Sequence, residues 1–144
     1  MIIKSHVNLT GLNPLIGNNL EEYGTRFPAL NGIYDKEKID AVYNIAKEKG
    51  TAIHKGTYMF FTGPSYETDA EVYAMSKLGI DARAMSTVPE IIVAAHCGMK
   101  LLAFPCITNV SLGNDNDTHE NVVKNAQAGA TNMNQILKIA TEVI

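Results

Sequence analysis

Short apolar runs alternate with capped helical segments along most of this sequence, and this alternation strongly limits its possible folds. The apolar runs are Gly56 to Gly63, Ile80 to Ser86 and Lys100 to Ile107. Each run is short for a helix and lies between turn residues or helix signals, which is typical of buried strands. The order of elements predicts an α/β fold with parallel neighbouring strands and right-handed crossovers.

The first and last helical segments have clear boundary signals. Asp35 is a predicted N-cap, apolar residues follow at helical spacing, and Gly50 is a predicted stop. The final helix is predicted from Thr118, as its cap, to Val143. The apolar residues of the first segment, spaced as on one face, predict an amphipathic helix.

Two T-x-x-E motifs predict the starts of the middle helices. In such a capping box the threonine hydroxyl and the glutamate each satisfy a backbone N–H of the first turn. The helices are predicted to cover residues 69–78 and 88–98. The two motifs are Thr68 with Glu71 and Thr87 with Glu90.

The beginning of the chain has a different character. Residues 1–8 contain a short β-like run, and no element in the sequence precedes it. Residues 10–31 are rich in Gly, Asn and Pro without any sustained period, which predicts a long structured loop.

Composition excludes several classes of function. With 144 residues, 46% of them hydrophobic and no long apolar run, residues 1–144 are predicted to form one globular unit that needs no membrane. A net charge of −3 without a basic cluster argues against a nucleic-acid partner and favours a small molecule. The N-terminus has no export signal, so we expect a cytoplasmic protein. Cys97 and Cys106 lack metal-ligand spacing, which predicts two reduced core thiols and no metal.

Polar side chains follow three of the predicted strands, where ligands of parallel sheets gather. We expect these clusters to converge on a pocket for a planar heterocycle that carries a hydroxylated or anionic group. Ser86 has no G-x-S-x-G context, which favours anion binding at a helix start over a serine nucleophile. The clusters are Ser65-Tyr66-Glu67, Met85-Ser86-Thr87 and Thr108-Asn109.

The motifs GPSYET, MSTVPE and ITN, in this order within Gly56 to Asn109, resemble the second half of the trimeric-type purine nucleoside phosphorylases. The run from His6 to Gly17, HVNLTGLNPLIG, resembles the preceding segment of that family. The resemblance implies the C-terminal half of a phosphorylase/hydrolase-like, three-layer α/β/α fold with a mixed, largely parallel sheet. It also implies a homotrimer that works in purine salvage.

The implied reaction is the reversible phosphorolysis of inosine- or guanosine-type nucleosides to a purine base and ribose 1-phosphate. The family uses no cofactor, and inorganic phosphate is the co-substrate. Glu67 matches the residue that accepts hydrogen bonds from purine N1 and the guanine amine, and Asn109 matches the residue at N7 and O6 that stabilises the leaving base. Without the resemblance, the residue types favour a turn-capping or solvated role for Glu67, and they leave a turn role for Asn109 equally open.

The remaining site residues are carried over in the same way. Ser86 matches the phosphate-binding serine, Met85 lines the ribose, Tyr66 packs on the base and His119 reaches the 5'-hydroxyl. Core packing is the alternative for Met85 and Tyr66, and a surface imidazole is the alternative for His119. Of the other histidines, His96 is expected to serve local packing or electrostatics.

The chain also departs from the family pattern. The family's first half carries a Gly-rich phosphate loop, a further histidine, an arginine-centred phosphate clamp and a ribose-contacting tyrosine, and none of these is present here. A non-catalytic nucleoside-binding half, or one partner of a split enzyme, is therefore an open alternative. Methylthioadenosine phosphorylases share the scaffold, but they usually carry Asp where this chain has Asn109.

Overall fold

A parallel sheet forms the centre of the protein, seen here in a computed structural model that describes residues 1–110 and 118–144. Its strands lie side by side in the order in which they occur along the chain, and neighbouring strands are parallel. A parallel sheet with helices between its strands confirms the predicted α/β class. Because the strands are parallel, their carboxyl ends lie at one edge of the sheet. The strands are β1 (Ile2–Asn8), β2 (Lys55–Phe60) and β3 (Ala82–Ala84).

The helices begin close to the predicted positions. Asp35 caps the first by accepting a hydrogen bond from the Lys38 backbone at 3.2 Å, and Thr118 caps the last by accepting one from the Asn121 backbone at 3.3 Å. Gly50 has a φ of +70°, a left-handed conformation that suits glycine after a helix. The helices are α1 (Lys36–Glu48), α2 (Asp69–Lys77), α3 (Val88–His96) and α4 (His119–Val143).

The capping box of α2 is present and that of α3 is not. The Glu71 backbone N–H donates to Thr68 Oγ1 at 3.3 Å, and the Thr68 N–H donates to the Glu71 carboxylate at 2.8 Å. Thr87, in contrast, has a φ of 77° and makes no capping hydrogen bond. The Val88 N–H donates to the Ser86 carbonyl at 2.9 Å, which closes a tight γ-type turn. The second capping box was therefore a wrong prediction, because this turn takes the Thr87 hydroxyl away from the helix N–H groups.

The capping box of α2 makes a testable prediction. We expect Thr68→Ala to lower the free energy of unfolding by about 1 kcal/mol, because an orphan N–H of the first turn loses its acceptor. Two hydrogen bonds from Thr68 lower the pKa of Glu71, so the stabilisation by this carboxylate is present above its unfolded-state pKa and is lost as the pH falls. Urea unfolding of Thr68→Ala beside Thr141→Ala, an exposed substitution in α4, measures the effect. Equal stabilities of the two variants would contradict it.

The run from Lys100 to Ile107 is not a strand, which corrects the prediction. Only Leu101 forms a bridge, to Tyr34, and the segment otherwise lies beside β1 through single hydrogen bonds. The Ile3 N–H donates to the Ala103 carbonyl at 3.0 Å. Pro105 has no N–H to donate, so a regular ladder cannot continue through it. Similarly, β3 covers three residues where seven were predicted.

The core lies between the sheet and three helices, α1, α3 and α4. Burying each large side chain fully contributes roughly 1.5–3 kcal/mol. Asn132 of α4 adds a polar anchor, because its side chain accepts from the Ala52 N–H at 3.2 Å and donates to the Ala52 carbonyl at 2.8 Å. The most deeply buried core residues include Ile2, Ile3, Val42, Tyr58, Val88 and Ile136.

The cysteines do not lie in the core. Cys97 and Cys106 are both free and exposed, so the prediction of two core thiols was wrong. Cys97 follows the last residue of α3, and Cys106 follows Pro105, so neither belongs to the apolar face of a helix or strand. In residues 1–110 and 118–144, no helix is long and apolar enough to cross a membrane.

Candidate active site

Glu67 lies in the turn that connects β2 to α2, at the carboxyl edge of the sheet. Its carboxylate accepts a hydrogen bond from Arg83 of β3, with 2.7 Å between Oε2 and the guanidinium nitrogen. The side chain of Glu67 is 9% exposed and that of Arg83 is 18% exposed. The turn after β2 and the neighbouring strand are thus joined by a largely buried ion pair.

Arg83 was missed by the sequence analysis. Its neighbours Ala82 and Ala84 pack against the hydrophobic core, so the alternation of a strand places Arg83 on the opposite face of the sheet. There its register partner on β2 is Met59. A charged residue between two alanines within a predicted strand was the signal that pointed to this position.

Asn109 lies on a cavity of about 330 Å³ that Arg83 also lines. Thr108 Oγ1 donates to the side-chain oxygen of Asn109 at 2.6 Å. The backbone carbonyl of Thr108 accepts from the side chain of Asn125 in α4 at 2.6 Å. The segment that follows Ile107 is thus joined to α4, and its Asn109 lines the same cavity as Arg83 of β3, while the convergence of all three polar clusters stays a prediction. Cavities of this size accommodate small planar ligands.

Met85 and Ser86 follow β3 directly. A Cβ on Gly63 would collide with the sulfur of Met85, and the φ of +62° at Gly63 also favours glycine. Ser86 is exposed, and its hydroxyl lies 3.4 Å from that of Thr87. The phenol of Tyr58 meets both hydroxyls, and burial raises its pKa more than these hydrogen bonds lower it. Tyr58 is therefore a neutral donor at physiological pH.

The other two predicted substrate-binding residues, Tyr66 and His119, have no described hydrogen bond or ring contact with the site residues above. Tyr66 is 40% exposed, and no described hydrogen bond or ring contact holds its ring. His119 is exposed at the first position of α4. Their proposed contacts with base and 5'-hydroxyl stay predictions. The sequence also predicts a polar loop over residues 108–117 before α4, of which residues 111–117 lie outside the described residues.

Two histidines outside the proposed site have structural partners. His96 is buried, and its Nε2 lies 3.0 Å from the side-chain oxygen of Asn19, in agreement with the expected packing role. His6 Nδ1 lies 2.7 Å from the Tyr34 hydroxyl, and burial lowers the pKa of His6. Within the described parts of the chain, no three His, Cys, Asp or Glu side chains are grouped as metal ligands would be.

The chain is similar in sequence to known proteins. The chain is 50% identical over 113 residues to purine nucleoside phosphorylase 1 of Bacillus subtilis. This match covers 78% of this chain and 42% of that protein. It is 39% identical over 153 residues to the purine nucleoside phosphorylase of Rattus norvegicus, covering 100% of this chain and 53% of that protein. The chain therefore spans about half the length of these relatives.

Solved structures agree with the sequence matches. The purine nucleoside phosphorylase of Schistosoma mansoni, in complex with inosine, aligns with a TM-score of 0.91 at 36% identity over 99% of this chain and 54% of that chain. A schistosoma purine nucleoside phosphorylase in complex with hypoxanthine aligns with a TM-score of 0.90 at 37% identity, covering 98% of this chain and 54% of that chain. The family model described as Phosphorylase superfamily matches residues 1–142. With its sequence matched almost from end to end and its parallel sheet superimposable on solved members, the chain belongs to the phosphorylase superfamily.

Proposed function

We propose that the chain is the base-binding half of a purine nucleoside phosphorylase, which converts inosine- or guanosine-type nucleosides and phosphate reversibly into purine base and ribose 1-phosphate. The observation that carries the proposal is the largely buried carboxylate of Glu67 at the carboxyl edge of a parallel sheet. Relatives at 39–50% identity are named purine nucleoside phosphorylases, and solved relatives were crystallised with hypoxanthine, inosine or guanosine.

In this reaction the N-glycosidic bond breaks, and its electron pair leaves with the purine. A phosphate oxygen attacks the opposite face of the oxocarbenium-like ribosyl carbon. Glu67 accepts the N1–H of the base, and Asn109 contacts N7 and O6, where negative charge develops. Positioning and electrostatics supply the catalysis, with no covalent bond to the protein.

The other residues complete the proposed substrate contacts. Ser86 binds phosphate, aided by the N–H groups at the start of α3, while Met85 lines the ribose. Tyr66 packs on the base, and His119 hydrogen bonds to the 5'-hydroxyl. By its family resemblance the enzyme acts as a homotrimer in cytoplasmic purine salvage, without a cofactor.

A second candidate is a nucleoside-binding half without catalysis, or one partner of a split enzyme. The observation that favours it is that the chain spans about half the length of its relatives. Phosphorolysis of methylthioadenosine is a third candidate. It would be favoured if Glu67 and Asn109 did not contact the base.

Base preference tests the proposed function. We expect the purified chain to bind hypoxanthine at least about tenfold more tightly than adenine, because Glu67 requires a protonated N1 and adenine leaves this acceptor unpaired. Calorimetric titration with each base measures the ratio. Glu67→Gln should reduce it, whereas Glu48→Gln, an exposed substitution on α1, should not. Equal or tighter binding of adenine by the unmodified chain would overturn the assignment.

A further inference from the structure

Arg83 has hydrogen-bonding capacity that the ion pair does not use. Its guanidinium carries five N–H donors, and one terminal nitrogen donates to Glu67 at 2.7 Å. Nε of Arg83 is buried, and no atom of the described residues accepts its hydrogen. A buried donor of a charged group is destabilising while it is unpaired. A ligand acceptor at this point would remove that destabilisation by accepting the Nε hydrogen.

The position of Arg83 relative to Glu67 and Asn109 defines which ligand atom it would meet. Arg83 lines the 330 Å³ cavity together with Asn109. Glu67 is not among the residues that line this cavity, but its carboxylate contacts the guanidinium of Arg83. The described contacts therefore link the three residues in the order Asn109, Arg83, Glu67, because Arg83 shares the cavity with Asn109 and the ion pair with Glu67. In the proposed function, N7 of the purine faces Asn109 and N1 faces Glu67. The substituent at position 6 lies between these two ring atoms and so faces Arg83.

From this order, and on the basis of the proposed function, we propose that Arg83 donates a hydrogen bond to the oxygen at position 6 of the bound purine and selects 6-oxopurines over 6-aminopurines. Arginine has donors only, so it pairs with a 6-oxo group and faces a 6-amino group donor to donor. The contact with the oxygen is charge-assisted, and it strengthens as the leaving base gains negative charge. Glu67 keeps its second oxygen, Oε1, for N1–H, since the Arg83 bond uses Oε2.

A purely structural ion pair between β3 and the turn after β2 is the competing explanation. The two explanations separate in a titration of three bases: hypoxanthine, adenine, and unsubstituted purine, which has only hydrogen at position 6. We expect Arg83→Met to weaken hypoxanthine binding by about 10- to 100-fold, with less than about threefold change for purine and adenine. Arg83→Lys, which restores a charged donor, should recover part of the hypoxanthine affinity. Arg26→Met is the matched control, because Arg26 is exposed and donates to the Leu15 carbonyl.

The unmodified protein provides a second readout that does not depend on the folding of any variant. Arg26 and Arg83 are the two arginines of the chain, so heteronuclear NMR of arginine Nε–H groups resolves one site signal and one internal control. Hypoxanthine at saturation should shift the Arg83 signal and leave the Arg26 signal in place, and purine should shift the Arg83 signal less.

The outcomes distinguish this inference from the proposed function. If hypoxanthine binds with the expected preference but the Arg83 signal does not move, or if Arg83→Met keeps the hypoxanthine-to-purine ratio, only the role of Arg83 is overturned. If the unmodified chain prefers adenine or binds no base, the proposed function is overturned and the role of Arg83 with it. A shifted Arg83 signal together with the selective loss in Arg83→Met supports the inference.

Discussion

The 144 residues, purified alone, are expected to show no detectable inosine phosphorolysis. The chain spans about half the length of its relatives, and the phosphate, ribose and base contacts of such a site act as a unit. Losing the oriented attack of phosphate removes a contribution that reaches roughly 7–11 kcal/mol in well-positioned reactions, which is enough to eliminate measurable turnover. Base binding should persist, because Glu67 and Asn109 belong to this half.

A complementation assay measures this expectation. The chain is assayed for inosine phosphorolysis alone and together with the first half of the Rattus norvegicus relative, and sedimentation reports the assembly of each sample. Turnover in the mixture only would support a split arrangement, and its loss in Asn109→Ala would tie that activity to this chain. Base binding without turnover in both samples would favour the non-catalytic candidate. Robust turnover by the 144 residues alone would overturn the expectation.

Removal of the Glu67 carboxylate is expected to destabilise the fold strongly. Glu67→Leu leaves the guanidinium of Arg83 largely buried without a counter-charge, and breaking a buried pair in this way costs about 3–5 kcal/mol. The residual exposure of both side chains places the expected loss near the lower end, at about 3 kcal/mol. The double variant Glu67→Leu with Arg83→Met should recover most of this loss, because no unpaired charge remains.

The chain contains a matched control for this experiment. Lys55 and Asp40 form an ion pair with the same 2.7 Å separation, but their side chains are 31% and 63% exposed. Asp40→Leu should therefore cost less than about 1 kcal/mol. Urea unfolding followed by circular dichroism compares the variants. A Glu67→Leu variant no less stable than Asp40→Leu would show that solvent screens the Arg83 charge after all.

Local signals along the sequence determined the α/β class and most helix boundaries. Asp35, Thr68 and Thr118 cap their helices as predicted, because a cap depends on residues that are close in sequence. The motif order was also sufficient to indicate the superfamily. Glu67 lies in the turn after β2 and Asn109 lines the cavity beside β3, but a common pocket for both stays a prediction. Which ligand atoms they contact stays a prediction.

Tertiary structure decided the features that depend on residues distant in sequence. Thr87 has the same T-x-x-E motif as Thr68, but the tight turn at the end of β3 and the contact with Tyr58 take its hydroxyl away from α3. Residues 100–107 are as apolar as a strand, but they make only scattered hydrogen bonds beside β1.

Arg83 shows the same limit within the site. The sequence by itself determined that Glu67 lies in a turn after an apolar strand and that Arg83 lies in the next strand. Their sequence separation of 16 residues carries no information about contact. Only the parallel pairing of β2 with β3 brings the guanidinium to the carboxylate, because strand register, unlike capping, is a property of two distant segments.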